Sequence, residues 1–348
     1  HLRVDLQVFY LVGSSKKIIP PPCAVLLPLM SKEIKANKKN IWVLGATGYV
    51  GQLVSRRLFS ERSEGNWSGQ LITMGSRQIL PWLMERTNFF LHPLAKIPIQ
   101  LIQNQPPTEL YHCARMAGNS DRSRKKAARK GHKANQRLLS LLQREAPECT
   151  LVYCSGTLMY GNTNSVIDEG APLRPIAYAR AYEYAERPWT EASALGEMDV
   201  RIARPAWILG PDSWFEHFFY RPAMREGKVP VYGDGTQRMS IISVEDCAGQ
   251  LVHLMRQGAR NQHANLYGFE PVTQREFAQW VAELIGLETT DVSAAEITKK
   301  HGATVCEALT SNTPITTRHT AWRESYAPVH TDLKELIQHT IARLQAAD

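Results

Sequence analysis

The sequence lacks a long hydrophobic run and any paired cysteine motif. No apolar stretch reaches the roughly 18 residues that a membrane-spanning helix needs, so we predict no membrane partner. The six cysteines form no Cys-x-x-Cys pair, and Cys113, Cys154 and Cys247 lie in apolar or strand-like runs. We therefore expect buried, reduced thiols and a cytoplasmic location, and we predict no metal site.

The amino-terminal segment lacks the features of a signal peptide. Its apolar stretches are interrupted by Lys16-Lys17 and by Pro20-Pro21-Pro22, and no small-residue cleavage site follows. We expect residues 1–39 to be an extension or a disordered lead. A Rossmann nucleotide-binding domain is predicted at residues 40–205, followed by a smaller substrate-binding lobe at residues 206–348 that is interleaved with it.

Acidic residues are outnumbered by basic ones, with 33 Asp and Glu against 41 Lys and Arg and a formal net charge of +8. Eight of the basic side chains fall within residues 122–137. This run has no interleaved aromatic residues, so we interpret it as a solvated helix face and predict no nucleic-acid partner. The overall charge suits a cofactor or substrate that carries phosphate.

Short apolar runs alternate with segments of helical periodicity. The runs are typical of buried parallel strands, and strands are predicted at residues 41–44, 71–74, 110–114, 151–154 and 200–203. Helices are predicted at residues 52–58, 134–143, 178–191, 244–255 and 274–287. The alternation predicts an α/β fold with a Rossmann-type, doubly wound parallel sheet and a smaller carboxy-terminal α/β substrate lobe.

A glycine-rich turn connects the first predicted strand to the first predicted helix. It reads Gly45-Ala46-Thr47-Gly48-Tyr49-Val50-Gly51. The first glycine permits a tight turn, the second lets the backbone approach a pyrophosphate, and the third lets the helix pack on the strand. The positive end of the helix attracts phosphate. We therefore predict a dinucleotide site formed by Gly45, Thr47, Gly48, Tyr49, Val50 and Gly51.

Five segments, in order, resemble the extended short-chain dehydrogenase/reductase superfamily and, within it, the NAD(P)-dependent epimerases and dehydratases of nucleotide sugars. They are the Gly-x-x-Gly-x-x-Gly turn, His112-Cys113-Ala114, and residues 155–161, 204–211 and 233–246. The resemblance implies a nucleotide-binding oxidoreductase or epimerase that acts on a sugar nucleotide or another hydroxyl- or carbonyl-bearing small molecule. Dimers are common in this family, so a homodimer is expected. Further cofactor contacts are expected from Cys113, Ala114, Tyr178 and Pro205.

The end of the second predicted strand lacks the acidic residue that usually binds the adenine ribose of NAD. It reads Gly75-Ser76-Arg77 instead. A hydroxyl and a guanidinium suit a 2′-phosphate, so we predict contacts from Ser76 and Arg77 and a preference for NADP(H) over NAD(H). The alternative is that Arg77 is a solvent-facing loop residue.

The resemblance implies a Tyr-x-x-x-Lys helix, in which the tyrosine exchanges a proton with a substrate hydroxyl during hydride transfer and the lysine favours the ionised tyrosine. Tyr178 stands at the tyrosine position, whereas Tyr182 occupies the lysine position. A free phenol titrates at about pH 10, so it needs a nearby cation to act as a base at neutral pH. Arg180 projects to another side of an ideal helix. Two interpretations remain open: an adapted catalytic site, or a non-catalytic NAD(P)-binding sensor or structural protein.

Two hydroxyls and three substrate-side residues complete the predicted site. The resembled epimerases have a catalytic Ser or Thr between the positions of Ser155 and Thr157, so these two are the catalytic candidates, with turn-capping as the alternative. Arg238 matches the family arginine that grips the substrate diphosphate, with a structural salt bridge as the alternative. Trp214 and Phe215 are predicted either to line the substrate pocket or to form the core of the lobe.

Overall fold

The computed structural model describes residues 38–118 and 120–347. The expected extension therefore lies outside the described residues, except for Lys38 and Lys39, which begin the first strand. The strands are β1 (Lys38–Leu44), β2 (Ser68–Gly75), β3 (Asn88–Leu91), β4 (Glu109–His112), β5 (Thr150–Cys154), β6 (Asp199–Pro205), β7 (Trp207–Leu209), β8 (Lys228–Tyr232), β9 (Arg238–Met239), β10 (Ile241–Ser243), β11 (His263–Leu266), β12 (Val272–Thr273) and β13 (Glu288–Val292).

The helices alternate with the strands through the first two thirds of the chain and cluster towards its end. They are α1 (Tyr49–Ser63), α2 (Pro81–Arg86), α3 (Ile99–Asn104), α4 (Asp121–Glu145), α5 (Ala177–Leu195), α6 (Arg221–Glu226), α7 (Val244–Gln257), α8 (Gln274–Ile285), α9 (Ala294–His301), α10 (Ala303–Leu309), α11 (Thr320–Glu324) and α12 (Leu333–Gln345). In the described part of the chain, none of these helices is long and apolar enough to cross a membrane.

The central sheet has seven parallel strands in the order β11-β6-β5-β4-β1-β2-β3. The strand order reverses between β1 and β4, and in sheets of this kind ligands bind outside the carboxyl ends of the strands at such a reversal. The structure thus confirms the predicted α/β class with a doubly wound Rossmann-type sheet.

Burial on both faces explains the apolar composition of the central strands. Ile41, Trp42, Val43 and Leu44 of β1 are all almost completely inaccessible. Helices α1 and α7 pack together on one side of the sheet, and α4 and α5 pack together on the other. The carboxyl ends of the strands are left open for a ligand.

The smaller lobe surrounds the parallel pair formed by β8 and β13. Its core includes Phe215, Phe219 and Phe277, which are at most 1% exposed. Phe215 and Phe219 each pack edge to face on Phe277. The chain also returns to the central sheet, because β11 pairs with β6 at its edge. The lobe therefore packs beside the sheet and faces the carboxyl ends of its strands through Trp207 and Trp214.

Candidate active site

A cavity of about 1140 Å³ runs along the carboxyl ends of β1, β2, β4, β5 and β6. This volume suits a dinucleotide together with a small substrate. Most of the residues predicted from the sequence line it, and they are Gly45, Thr47, Gly48, Tyr49, Val50, Ser76, Arg77, Cys113, Ala114, Ser155, Thr157, Tyr178, Pro205 and Trp214.

The glycine turn has no room for a side chain at two of its positions. Gly45 has a φ of +76°, and a Cβ there would lie 2.7 Å from the backbone nitrogen of Ala114. A Cβ at Gly51 would lie 2.1 Å from the carbonyl oxygen of Gly45. The N–H groups of Gly45 and Ala46 donate to the Met74 carbonyl oxygen at 3.0 and 2.9 Å, which fixes the turn to β2. Gly51 thus packs helix against strand, while Gly45 keeps the cavity floor open.

The first turn of α1 points its amide groups at the same cavity. Gly48 is the N-cap, no side chain caps the helix, and its first turn contains no acidic residue. The N–H groups of Tyr49 and Val50 have no intrahelical acceptor, since the first turn of any helix leaves them unpaired. This arrangement favours a bound phosphate.

Basic side chains line the cavity, and one of them follows β2 directly. Arg77 and Ser76 follow β2 and are exposed in the cavity wall. Lys126 and Lys130, one turn apart on α4, line the same cavity and belong to the basic run of residues 122–137. The basic run was interpreted from the sequence as a solvated helix face, but two of its eight basic residues also line the candidate ligand site.

Helix α5 places Tyr178 and Tyr182 on one face. Their ring centres are 5.7 Å apart, and the rings meet edge to face. Tyr178 is half-buried and Tyr182 is buried, and both line the cavity. Burial raises the pKa of the Tyr182 phenol, which therefore stays neutral at neutral pH. Arg180 is exposed, and its Nη2 donates to the carbonyl oxygen of Pro175 at 3.4 Å.

Two arginines from outside α5 reach Tyr178. The Nη2 of Arg115 donates to Tyr178 Oη at 3.4 Å, and its Cζ lies 4.5 Å from the centre of the Tyr182 ring. Arg124 of α4 lies with its Cζ 5.5 Å from the centre of the Tyr178 ring and forms a salt bridge with Asp121. The phenol pair is therefore in a positively charged environment although α5 itself supplies no lysine.

The two hydroxyl candidates have different surroundings. The Oγ of Ser155 donates to Glu186 Oε2, and Glu186 forms a buried ion pair with Arg204 at 2.9 Å. Thr157 is 4% exposed and begins the short 3-10 turn that follows β5. Both residues line the cavity, but the hydroxyl of Ser155 is tied to the buried ion pair of Glu186 and Arg204.

Three predicted residues lie away from the cavity wall. Gly51 packs behind the turn, and Phe215 is fully buried in the lobe core. Arg238 is half-buried on β9, and its backbone N–H donates to Asn312 Oδ1 at 2.6 Å. Trp214, by contrast, lines the cavity and packs on Trp207 with ring centres 5.2 Å apart.

Four residues of the site were not indicated by the sequence patterns. Glu186 lies on the same face of α5 as Tyr178 because it is eight residues further on, and this spacing was a usable signal. Arg115 follows the His112-Cys113-Ala114 segment but carried no pattern of its own. Lys126 and Lys130 belong to the basic run, and only the fold shows which side of α4 faces the cavity.

The chain is thus a Rossmann-type protein with a dinucleotide-sized cavity, and comparison with known proteins identifies its family. The model of the NAD dependent epimerase/dehydratase family matches residues 41–267. This match covers well over half of the chain, so the chain belongs to that family, as its sequence motifs indicated. In the comparison with curated protein sequences, no protein matched.

Solved structures with the same fold include sugar-nucleotide enzymes. MoeE5 in complex with UDP-glucose and NAD is 22% identical with a TM-score of 0.69, over 88% of this chain and 99% of that chain. UDP-glucuronic acid 4-epimerase from Bacillus cereus, with UDP-glucuronic acid and NAD, is 16% identical with a TM-score of 0.70, over 88% and 99%. dTDP-glucose 4,6-dehydratase from Bacillus anthracis, with NAD, is 17% identical with a TM-score of 0.66, over 89% and 97%. At these identities the likeness concerns the fold.

Proposed function

We propose that the protein is an NAD(P)-dependent oxidoreductase or epimerase that uses Tyr178 as its acid/base residue. The observation that carries this proposal is that the glycine turn and Tyr178 line one continuous cavity. Family membership supports the cofactor, since the family is described as NAD dependent. The shape of the glycine turn supports it independently, because a side chain at Gly45 would collide with the backbone of Ala114.

The residues present fit a nicotinamide dinucleotide. Gly45, Gly48 and the first turn of α1 would hold the diphosphate, and Cys113, Ala114 and Pro205 would flank the rest of the cofactor. When bound, a nicotinamide supplies a site that accepts or returns a hydride. The part of this chain is to orient the substrate, to exclude water and to move a proton.

We propose a preference for NADP(H), supported by the basic wall near β2. Ser76 and Arg77 stand where an NAD-specific site has a carboxylate, and Lys126 and Lys130 line the same cavity. Arg77→Ala is expected to weaken NADPH binding about tenfold, as for one lost charged hydrogen bond, and to leave NADH binding nearly unchanged. The matched control is the exposed Arg122 of α4, which does not line the cavity. Equal weakening for both cofactors would contradict the preference.

The proposed proton transfer takes place at Tyr178 Oη. Its half-buried position in the cavity wall lets it take a proton from a substrate hydroxyl or return one to a carbonyl oxygen. Thr157 is proposed as the hydroxyl that positions the substrate oxygen, because Ser155 already donates to Glu186. Trp214, whose Nε1 is buried without a hydrogen-bond partner in the described part of the chain, is proposed to contact the substrate.

The proposed substrate is a nucleoside diphosphate sugar. Solved relatives of the same fold contain UDP-glucose and UDP-glucuronic acid, and the positive charge around this cavity suits a diphosphate. The test is incubation of the purified protein with NADP or NAD and a panel of UDP- and dTDP-hexoses, followed by nicotinamide absorbance and product chromatography. Turnover of any of them supports the proposal. Cofactor binding without turnover across the panel would favour the second candidate.

The second candidate is a non-catalytic NAD(P)-binding sensor or structural protein. The observation in its favour is Tyr182, which occupies the position of the family lysine. A decayed site is expected to gain turnover on Tyr182→Lys, whereas an adapted site is expected to lose it. The same panel of sugar nucleotides therefore distinguishes the two candidates.

Three expectations about organisation remain proposals. The first is a domain boundary near residue 205, with the second lobe interleaved with the Rossmann domain. The return of β11 to the edge of the central sheet agrees with the interleaving, and limited proteolysis of the full chain tests the boundary. A homodimer is tested by light scattering of the purified protein. A cytoplasmic location is tested by cell fractionation.

A further inference from the structure

The positive charge beside Tyr178 comes from a distant segment of the chain. Arg115 lies three residues beyond β4, next to the family's His112-Cys113-Ala114 segment. Its Cζ lies 4.5 Å from the centre of the Tyr182 ring and 5.9 Å from that of Tyr178. The guanidinium therefore rests on Tyr182 as a cation–π contact and touches the hydroxyl of Tyr178 at 3.4 Å.

Tyr182 has the properties of a support for this arginine. It is 6% exposed, and burial raises the pKa of its phenol although Arg115 opposes that rise. The ring is therefore neutral and presents its face to the guanidinium. A lysine at position 182 would place a second cation against Arg115, and like charges at this distance repel. The tyrosine at 182 and the arginine at 115 thus fit each other as a pair.

Arg115 keeps its charge and is not neutralised by a carboxylate. Burial opposes the charged guanidinium, but the phenols of Tyr178 and Tyr182 outweigh it and hold the pKa of Arg115 above its usual value. Among residues 38–118 and 120–347, Arg115 has no salt-bridge partner. The other charged or titratable groups around it come from three elements. Tyr153 and Cys154 belong to β5. Arg124 of α4 is paired with Asp121, and Glu186 of α5 is paired with Arg204.

We propose that Arg115 supplies to Tyr178 the positive charge that a lysine supplies in the usual helix motif, with Tyr182 as its support. The proposal rests on the proposed function, in which Tyr178 exchanges the proton. Arg115 transfers no proton itself. When Tyr178 Oη gives its proton to a substrate oxygen, the charge of Arg115 stabilises the phenolate that remains. In the opposite reaction direction, the same charge keeps a larger fraction of Tyr178 ionised and therefore able to accept a proton.

The first test needs no substrate. Tyrosinate absorbance of the full chain is titrated with pH, and the curve of each variant is subtracted from that of the same variant carrying Tyr178→Phe, which isolates Tyr178. Arg115→Met is expected to move the midpoint of this difference curve upward by about one pH unit, because an opposite charge is lost. Arg115→Lys is expected to restore most of that change. An unchanged midpoint in Arg115→Met overturns the proposal.

The supporting role of Tyr182 has its own variants. Tyr182→Phe keeps the ring and is expected to leave the midpoint within a few tenths of a unit, whereas Tyr182→Ala removes the support and is expected to move it in the same direction as Arg115→Met. Arg180→Met is the matched control, since Arg180 lies on the same helix and is exposed. The Tyr182 variants also decide the question if Arg115→Met fails to fold, which near-ultraviolet circular dichroism would reveal.

A third variant separates this proposal from the proposed function. Arg115→Met combined with Tyr182→Lys restores a helix lysine and is expected to recover the wild-type midpoint of Tyr178. Tyr182→Lys alone is expected to leave that midpoint no lower than in the wild type. If a substrate is found, kcat at neutral pH is expected to fall about tenfold in Arg115→Met and to recover in the double variant. If no substrate is turned over but Arg115→Met shifts the Tyr178 midpoint as expected, the enzyme proposal fails and the Arg115–Tyr178 coupling stands. A normal kcat in Arg115→Met would contradict the coupling and keep the enzyme.

Discussion

The glycine turn and helix α5 line the same cavity, but they depend on the sequence in different ways. The turn is made of consecutive residues, and its contacts are with backbone atoms of β2 and of the segment after β4. The charge beside Tyr178 comes from Arg115, 63 residues earlier in the chain. The turn accepts no side chain at Gly45 or Gly51, because a Cβ there would collide with backbone atoms. A positive charge can be supplied by any side chain that reaches the phenol.

The largest effect is expected at the backbone cradle. Gly45→Ala imposes about 1–3 kcal/mol of strain at its positive φ and adds a clash with the backbone of Ala114. We expect cofactor binding to become undetectable in a calorimetric titration. Gly65→Ala is the matched control, because Gly65 also has a positive φ of +81° but has no atom within 4 Å of an added Cβ. Equal cofactor affinity in the two variants would show that the cradle is not needed.

The next largest effect is expected at Tyr178, the proposed acid/base residue. Tyr178→Phe removes the hydroxyl and keeps the ring, so turnover is expected to fall by about 10²- to 10⁴-fold. Cofactor affinity is expected to stay nearly unchanged, because the glycine turn is untouched. Tyr184→Phe is the control, since Tyr184 lies on the same helix, is exposed and stacks on His132. Retained turnover in Tyr178→Phe would remove this residue from the mechanism.

A third prediction concerns the ion pair that fixes α5 behind the two tyrosines. Glu186→Ala leaves Arg204 buried and unpaired, so the free energy of unfolding is expected to fall by about 3–5 kcal/mol. Arg204 is 2% exposed, and the pair is as buried as any in the described part of the chain. The control is Glu183→Ala, which breaks the exposed Glu183–Arg187 pair of the same helix and is expected to cost about 0.5 kcal/mol or less. Urea unfolding of both variants measures the difference.

The last prediction is a gradual pH dependence of stability that arises at His112 of β4 and His263 of β11. Burial lowers the pKa of His112 to about 4, although its bond to Asn135 opposes this. Burial, together with the charge of Arg204, lowers the pKa of His263 to about 4. The unfolded chain, with a histidine pKa of about 6.5, binds more protons between these values. Stability is therefore full above about pH 6.5 and is expected to fall by about 1.4 kcal/mol per pH unit for each histidine as the pH drops towards 4.

Chemical unfolding at a series of pH values between neutral and acidic measures this slope. His112→Phe keeps an aromatic ring against Tyr153 and Trp189 and removes the titrating group. Its stability is expected to depend less steeply on pH than that of the wild type. Parallel curves for the two proteins would mean that His112 does not contribute.

The central strands and the glycine turn were predictable because their signals are local. Runs such as residues 41–44 are apolar because parallel strands are buried on both faces, and the spacing of Gly45, Gly48 and Gly51 reports backbone geometry directly. Strands β3 and β11 carried no prediction. Each has four residues of mixed polarity, and their place at the two edges of the sheet depends on tertiary pairing.

The catalytic surroundings were only partly predictable. The position of Tyr178 follows from the family motif, and the absence of the lysine at position 182 was visible at once. No sequence pattern indicated that Arg115 lies beside Tyr178, because the loop after β4 and helix α5 come together only in the folded sheet. Arg238 and Phe215 matched patterns, but a pattern does not state which way a short strand or an aromatic loop faces, and the structure places both outside the cavity wall.

Calorimetric titration of the purified chain with NADPH and, separately, with NADH is the most direct test of the dinucleotide site. Binding at sub-millimolar concentration, tighter for NADPH and abolished in Gly45→Ala, is the predicted result. If neither cofactor binds in that range, the glycine turn does not hold a dinucleotide, and both the enzyme and the sensor proposals fail.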